Sequence, residues 1–341
     1  MLNAVYRLVA PRRFEVEFSD IGLKAGQIIV RPSYLSICHA DQRYYQGARP
    51  IEVMQQKLPM ALIHEGLGDV VFDATGNFKS GDSVIMIPNM PKEKDSIIAE
   101  NYLRSSKFCA SSMDGFMQEH VALGIDRVVP LDSSIDKSVA AFTELVSVSV
   151  HALRRFDVIA HQRREAVGIW GDGNLGYITA VFFKAMFPDT RLYVFGVHQE
   201  KLSQFSFAEE TFSVTDIPPD LLVDHAFECV GGEASQRAIS QIIGHICPEG
   251  TVSLLGVSEY PVPINTRMVL EKGLRIFGSS RSGREDFLET VSLYRRHPEV
   301  VGYLSNIVGA QIEIRTIADM NRAFETDIHK SIGKTIMIWN K

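Results

Sequence analysis

Between residues 166 and 279 short apolar runs alternate with helical stretches, and the first run feeds a glycine-rich turn, Gly171-Asp172-Gly173-Asn174-Leu175-Gly176. The runs 166–171, 191–196, 224–230, 251–256 and 274–278 have the length and apolar content of strands. Such alternation predicts an α/β fold, a doubly wound parallel sheet with helices on both faces. In the turn, Gly171 suits the tight bend, Gly173 the close approach of a pyrophosphate, and Gly176 the packing of helix on strand. The pyrophosphate would meet a helix N-terminus near Asn174 and Leu175, where free N–H groups favour negative charge. By itself the motif is equally a glycine-rich turn without a ligand; its place between strand and helix favours a dinucleotide.

The second run ends at Gly196, where an NAD enzyme places Asp or Glu against the ribose 2′-hydroxyl. Here that carboxylate is missing, and His198 and Lys201 offer donors or positive charge, so the pattern favours NADPH. The competing reading makes His198 and Lys201 solvated residues at a helix start.

Ahead of this region the pattern differs. Up to about residue 130, apolar runs at 27–34, 68–72, 83–88 and 116–123 are punctuated by glycine and proline, which favours a β-rich domain. Apolar groups at Val139, Phe142, Val146, Val150 and Leu153 then suit one helix over 136–156, capped by Asp136. The last sixty or so residues show two helical patterns and a terminal strand at 335–339, and are expected to rejoin the first domain. A length of 341 residues exceeds what one core usually spans, which also argues for two domains. A net charge of −6 gives no footprint for nucleic acid, and no apolar stretch is long enough to cross a membrane. With no signal-peptide pattern and four cysteines that form no disulfide framework, the expectation is a cytoplasmic protein.

Cys38, His64-Glu65 and Glu144 supply sulfur, nitrogen and oxygen donors within the first domain. Two anionic ligands and a neutral imidazole balance Zn²⁺ and leave a fourth position open, as a catalytic zinc requires. Glu65 either coordinates or exchanges with the oxygen in that position. Singly, these residues read equally well as a buried thiol, a core histidine and an exposed helix carboxylate; their combination points to a metal. Asp41, three residues after Cys38, is either an acceptor that orients His64 or a turn carboxylate.

With these residues and the glycine turn in this order, the chain resembles the zinc-dependent medium-chain dehydrogenase/reductase superfamily along nearly its whole length. Supporting landmarks are Phe227-Glu228-Cys229-Val230-Gly231-Gly232, Pro248-Glu249-Gly250-Thr251 and Ile276-Phe277-Gly278-Ser279. The resemblance implies a GroES-like catalytic domain over 1–146, completed by 280–341, and a Rossmann domain over 147–279. Glu144, where alcohol dehydrogenases commonly have cysteine, is similar to the polyol dehydrogenase branch. Within it, Ser36-Ile37-Cys38-His39-Ala40-Asp41, Leu62-Ile63-His64-Glu65-Gly66, Thr266-Arg267-Met268-Val269-Leu270-Glu271 and Gly278-Ser279-Ser280-Arg281-Ser282-Gly283 resemble the ribulose-5-phosphate reductases of ribitol teichoic-acid synthesis.

That resemblance implies NADPH-dependent reduction of D-ribulose 5-phosphate to D-ribitol 5-phosphate, with one catalytic zinc per chain. It further implies a cytidylyltransferase acting on the product and a homodimer or homotetramer, formed through a sheet edge at 251–264. Arg43, Arg281 and Lys57 are the candidates for the substrate phosphate. Water held by Asp41, Tyr44 or Glu65 is the candidate proton source, Tyr44 being equally a packing aromatic. Two departures from the superfamily stand out. Its four-cysteine lobe is missing, and residues 91–108 are charged and helical in pattern, with Cys109 alone nearby. Ala40 and Arg43 replace the hydroxyl and histidine of the usual proton relay. Other readings are a different zinc polyol or sugar-phosphate dehydrogenase, a zinc-free quinone reductase, and a non-catalytic nucleotide-binding protein.

Overall fold

A computed structural model describes residues 1–22, 24 and 26–341. It divides into one unit of Met1–Leu145, Ser282–Arg296 and Ser305–Lys341, and a second of Val146–Arg281 with His297–Leu304.

The first unit is built on a sheet of seven strands. Across it run Val128–Pro130, Ser83–Met86, Glu65–Asp73, Gln27–Ser36, Lys334–Trp339 and Val308–Ile314, while Val121–Gly124 also pairs with Gln27–Ser36. Gln27–Ser36 carries Pro32, which has no N–H to give a ladder, and the register shifts between Pro32 and Tyr34, the irregularity that lets a strand hold proline. Opposite it, a Cβ on Gly68 would lie 2.3 Å from the Arg31 carbonyl oxygen, so only glycine permits that approach. Leu2–Ala10 and Arg13–Asp20 form a hairpin that also pairs with Met60–Ala61. The core between these layers includes Leu8, Ile28, Leu35, Leu62, Phe116, Phe324 and Met337. At one end of the sheet, Ser36 pairs with Glu65 on one side and Ile336 on the other, so three strand ends lie side by side.

Two expectations are corrected in this unit. The single helix over 136–156 is two, Lys137–Ala140 and Thr143–Ile159, separated where the Thr143 hydroxyl donates to the Ala140 carbonyl (2.8 Å). Asp136 does cap the first, accepting from the Ser138 and Val139 amides. Residues 91–108 form turns ending in the two-residue strand Lys107–Phe108, with no helix. Their charges are spent on local turns: the Asp95 carboxylate accepts from the Ile97 and Ile98 amides.

The second unit is a six-stranded parallel sheet. Ala166–Trp170, Arg191–Gly196, Glu210–Ser213, Val223–Glu228, Ile246–Leu254 and Arg275–Gly278, counted one to six along the chain, stand in the order 3-2-1-4-5-6. This is the dinucleotide-binding order, with its crevice where the first and fourth strands diverge. All five residues of Ala166–Trp170 are buried, as a central parallel strand requires. The Trp170 and Phe195 rings stack at 3.9 Å. The expected pairing edge at 251–264 is not an edge. Thr251–Leu254 is flanked by Val223–Glu228 and Arg275–Gly278, and the last of these is the outer strand.

Candidate metal and cofactor sites

The metal candidates come together because their strands end together. Gln27–Ser36 leads into Cys38, which precedes the helix His39–Tyr45, while His64 immediately precedes Glu65–Asp73. Ile63 adopts φ 70°, a conformation rare for a β-branched residue. It is held there from both sides, its amide donating to Asp41 Oδ1 (3.0 Å) and its carbonyl accepting from the Phe116 amide (2.7 Å). This turn delivers His64 to Cys38. Donor atoms of Cys38, His64 and Glu65 lie within 4.8 Å of one another. Glu144, in the first turn of Thr143–Ile159, brings Oε2 to 4.0 Å from His64 Nε2, and Asp41 Oδ2 stands 3.6 Å from Nδ1 on the other side. The latter separation is an ion-pair distance, beyond a hydrogen bond. Asp41 Oδ2 also accepts from the Cys38 amide (3.2 Å).

These donors suit a cation. Buried acidic groups crowd one imidazole: Asp41 Oδ2 faces His64 Nδ1 at 3.6 Å, Glu144 Oε2 faces Nε2 at 4.0 Å, and Cys38 and Glu65 stand beside them, an arrangement that is costly unless positive charge matches it. Burial pushes the Cys38 thiol up and the Glu144 carboxyl up to about 7, Glu65 and Asp41 adding to the latter while His64 and Lys334 oppose it. Burial works against charge on His64, but Asp41 and Cys38 outweigh it and raise its proton affinity well above the ordinary value. One sulfur, one imidazole and carboxylate oxygens form a borderline-soft set that fits zinc.

The other candidates are placed as follows. Tyr44 packs in the hydrophobic core, with the Arg49 guanidinium 4.8 Å from its ring centroid. Arg43 and Lys57 are half-buried in the last turns of His39–Tyr45 and Ile51–Lys57. Arg281, at φ 59°, closes a segment of the second unit, whereas Arg43 belongs to the first. Lys334 escaped the sequence reading altogether: its Nζ lies 2.8 Å from Glu65 Oε2 in a fully buried ion pair. No local motif announces it.

In the second unit the glycines do distinct work. Gly171 has φ 130°, and a Cβ there would meet the Cys229 carbonyl at 2.9 Å. A Cβ on Gly176 would come within 2.0 Å of the Gly171 carbonyl oxygen, while one on Gly173 would meet nothing within 4 Å. Gly173 is the N-cap of Asn174–Met186, so Asn174 and Leu175 open that helix beside empty space. At Gly196 a Cβ would strike the Asp172 Cβ at 2.6 Å. The end of this strand cannot carry the usual acid because an acid from the glycine turn fills the place. Asp172 Oδ2 accepts from the Val197 and His198 amides (2.8 and 2.7 Å) and lies 3.1 Å from His198 Nδ1. Lys201 follows in the short helix Gln199–Leu202. Glu228, nearly fully buried, accepts from the Val230, Gly231 and Gly256 amides and so ties the loops after the fourth and fifth strands. Neither Asp172 nor Glu228 was singled out in the sequence, since Asp172 bonds the distant Val197 and His198 amides and Glu228 joins its own turn to the distant Gly256 amide. Among the described residues, no helix is long and apolar enough to cross a membrane.

Comparison with known proteins agrees with this architecture. Residues 24–133 match the alcohol dehydrogenase GroES-like domain. The chain is 54% identical over 339 residues to ribulose-5-phosphate reductase 1 of Staphylococcus aureus, covering 99% of both. It is equally 54% identical, over 99% of both chains, to the ribulose-5-phosphate reductase of Bacillus spizizenii. Among solved structures, S. aureus TarJ in complex with NADPH superposes with a TM-score of 0.90 at 49% identity over 100% of both chains. L-idonate 5-dehydrogenase of Escherichia coli, with a TM-score of 0.86 at 20% identity over 99% of this chain and 98% of that one, shares the fold.

Proposed function

We infer the activity from a premise now established: the chain belongs to the ribulose-5-phosphate reductase family, within the alcohol dehydrogenase-like enzymes that carry a GroES-like domain. The reaction is the NADPH-dependent reduction of D-ribulose 5-phosphate to D-ribitol 5-phosphate. Hydride adds to the ketone carbon and a proton to its oxygen, leaving NADP⁺. The observation that carries this reading is the convergence of Cys38 with His64 and Glu65 in a chain that also folds an intact dinucleotide turn.

Zinc held by Cys38, His64 and Glu144 would supply a Lewis acid for the carbonyl. The chain's own residues prepare for it. Asp41, anchored by the Cys38 and Ile63 amides, faces Nδ1 and sets the imidazole so that Nε2 looks towards Glu144. Gly173 leaves room for the pyrophosphate, and the amides opening Asn174–Met186 meet its charge. At the end of Arg191–Gly196 the Asp172 carboxylate is taken up by the Val197 and His198 amides and the His198 ring, and His198 and Lys201 are the groups assigned to a 2′-phosphate. Arg43 is assigned to the substrate phosphate, with Arg281 as the alternative candidate. Asp41 and Glu65 serve as fixed carboxylates, and Tyr44 supports the helix that carries Asp41.

In this reading the product feeds a cytidylyltransferase that makes CDP-ribitol for teichoic-acid-type polymers. The enzyme works in the cytoplasm, where its four free cysteines stay reduced, as a homodimer or homotetramer. The test is NADPH oxidation with ribulose 5-phosphate, xylulose 5-phosphate and free ribulose, before and after chelation. Turnover selective for ribulose 5-phosphate and lost on chelation is expected; indifference to the phosphate or to the chelator overturns the assignment.

A further inference from the structure

Lys334 opens the strand Lys334–Trp339 and is 2% exposed. From there its side chain reaches across the end of Gln27–Ser36, the neighbouring strand, to the first residue of the strand beyond. Nζ donates to the Ile37 carbonyl (2.8 Å) and to Glu65 Oε1 (2.9 Å), with Oε2 at 2.8 Å. The Ile37 amide donates in turn to the Thr335 carbonyl (3.1 Å). Both backbone polar groups of the residue before Cys38 are thus fixed by the start of this strand, and so is the carboxylate next to His64. A single side chain grips the two segments that supply the thiol and the imidazole.

Charge explains what the grip achieves. Four groups able to carry negative charge surround the imidazole: Cys38, Asp41, Glu65 and Glu144. A buried anion is tolerated only when matched. Asp41 is matched by the Cys38 and Ile63 amides, and Glu65 by Lys334. The thiolate of Cys38 and the carboxylate of Glu144 then carry the two charges that balance a divalent ion. Yet the Glu65 donor lies within 4.8 Å of those of Cys38 and His64, so once released it would need little movement to coordinate.

Resting on the zinc reading above, we propose that Lys334 is a positioning residue that decides the ligand set. By holding Glu65 it keeps that carboxylate out of the coordination sphere and leaves Cys38, His64 and Glu144 as the protein ligands.

Cobalt(II) substituted for zinc in the full chain reports this directly, because four-coordinate cobalt absorbs visible light far more strongly than five-coordinate cobalt. At one ion per chain, Lys334→Met is expected to lose d–d intensity as Glu65 joins the ion. The double variant Lys334→Met/Glu65→Gln, which has no carboxylate to join, is expected to recover the parental spectrum. Glu65→Gln alone is expected to keep it, because the carboxylate is no ligand in the parent, and Lys334→Gln takes the place of Lys334→Met with the same expectation should the methionine variant not fold. A parental spectrum in Lys334→Met, an altered one in Glu65→Gln, or no recovery in the double variant overturns the proposal. Cobalt binding to the parent with any of those results leaves the metal reading standing; a parent that takes up no cobalt refutes both.

Discussion

Replacing Gly173 and Gly176 separately by alanine distinguishes space reserved for a ligand from space required by the fold. At Gly173 a new Cβ meets no atom within 4 Å, and the backbone angles, φ −85° and ψ −178°, suit any residue. Stability should therefore change by no more than about 0.5 kcal/mol. The methyl would, however, stand where the pyrophosphate must approach the backbone. NADPH affinity is expected to fall roughly tenfold or more, equivalent to at least about 1.4 kcal/mol. At Gly176 the new Cβ would lie 2.0 Å from the Gly171 carbonyl oxygen, roughly 1.5 Å inside a comfortable contact. The helix Asn174–Met186 must retreat from the turn, which costs about 1–3 kcal/mol of stability as well as binding. Cofactor fluorescence titration gives the dissociation constants, and denaturant melts give the stabilities. A Gly173→Ala protein that binds NADPH like the parent, or that unfolds as readily as Gly176→Ala, would show that the space at Gly173 is not kept for the cofactor.

Other predictions concern the remaining parts of the structure. Asp41→Ala should weaken zinc binding about 10- to 100-fold, as loss of a ligand-orienting carboxylate does; chelator competition measures it, and unchanged affinity would remove Asp41 from the site. Arg43→Ala should raise KM for ribulose 5-phosphate while leaving that for free ribulose unchanged, and equal effects on both would end its phosphate assignment. Burial, then the nearby His161, lowers the pKa of His225 to about 4. A depressed histidine stabilises the fold above its unfolded pKa near 6.5, and this is lost as pH falls from there towards 4, amounting to about 3 kcal/mol. Melting temperatures between pH 7 and 4 should thus decline less steeply in His225→Gln than in the parent, and parallel curves would contradict this.

The second unit was legible because its strands are continuous apolar runs separated by helical segments, a pattern that buried parallel strands impose. Glu210–Ser213 was missed because an edge strand with an exposed first residue has no such run. In the first unit the hairpin Leu2–Ala10 with Arg13–Asp20 went unnoticed: most of its second strand is solvent-facing, so apolar patterning is weak. The expected helix within 91–108 rested on charge alone, with no apolar stripe to bury, and the chain uses those charges for turns instead. Cys38, His64 and Glu65 could be read from residue type and order. Lys334 could not, since its role arises from a strand register linking positions about as far apart as the chain allows. The same holds for Asp172, whose carboxylate explains the bare strand end at Gly196 only once the two loops are seen together.

Turnover depends on one ion held by a thiolate, an imidazole and a carboxylate of the first unit. Measuring zinc per chain alongside NADPH-dependent reduction of ribulose 5-phosphate, while zinc is stripped and then restored, tests it most directly. One zinc per chain is expected in the active enzyme, with activity falling and returning in proportion to occupancy. Full turnover by the stripped protein, or by Cys38→Ser without metal, would contradict it.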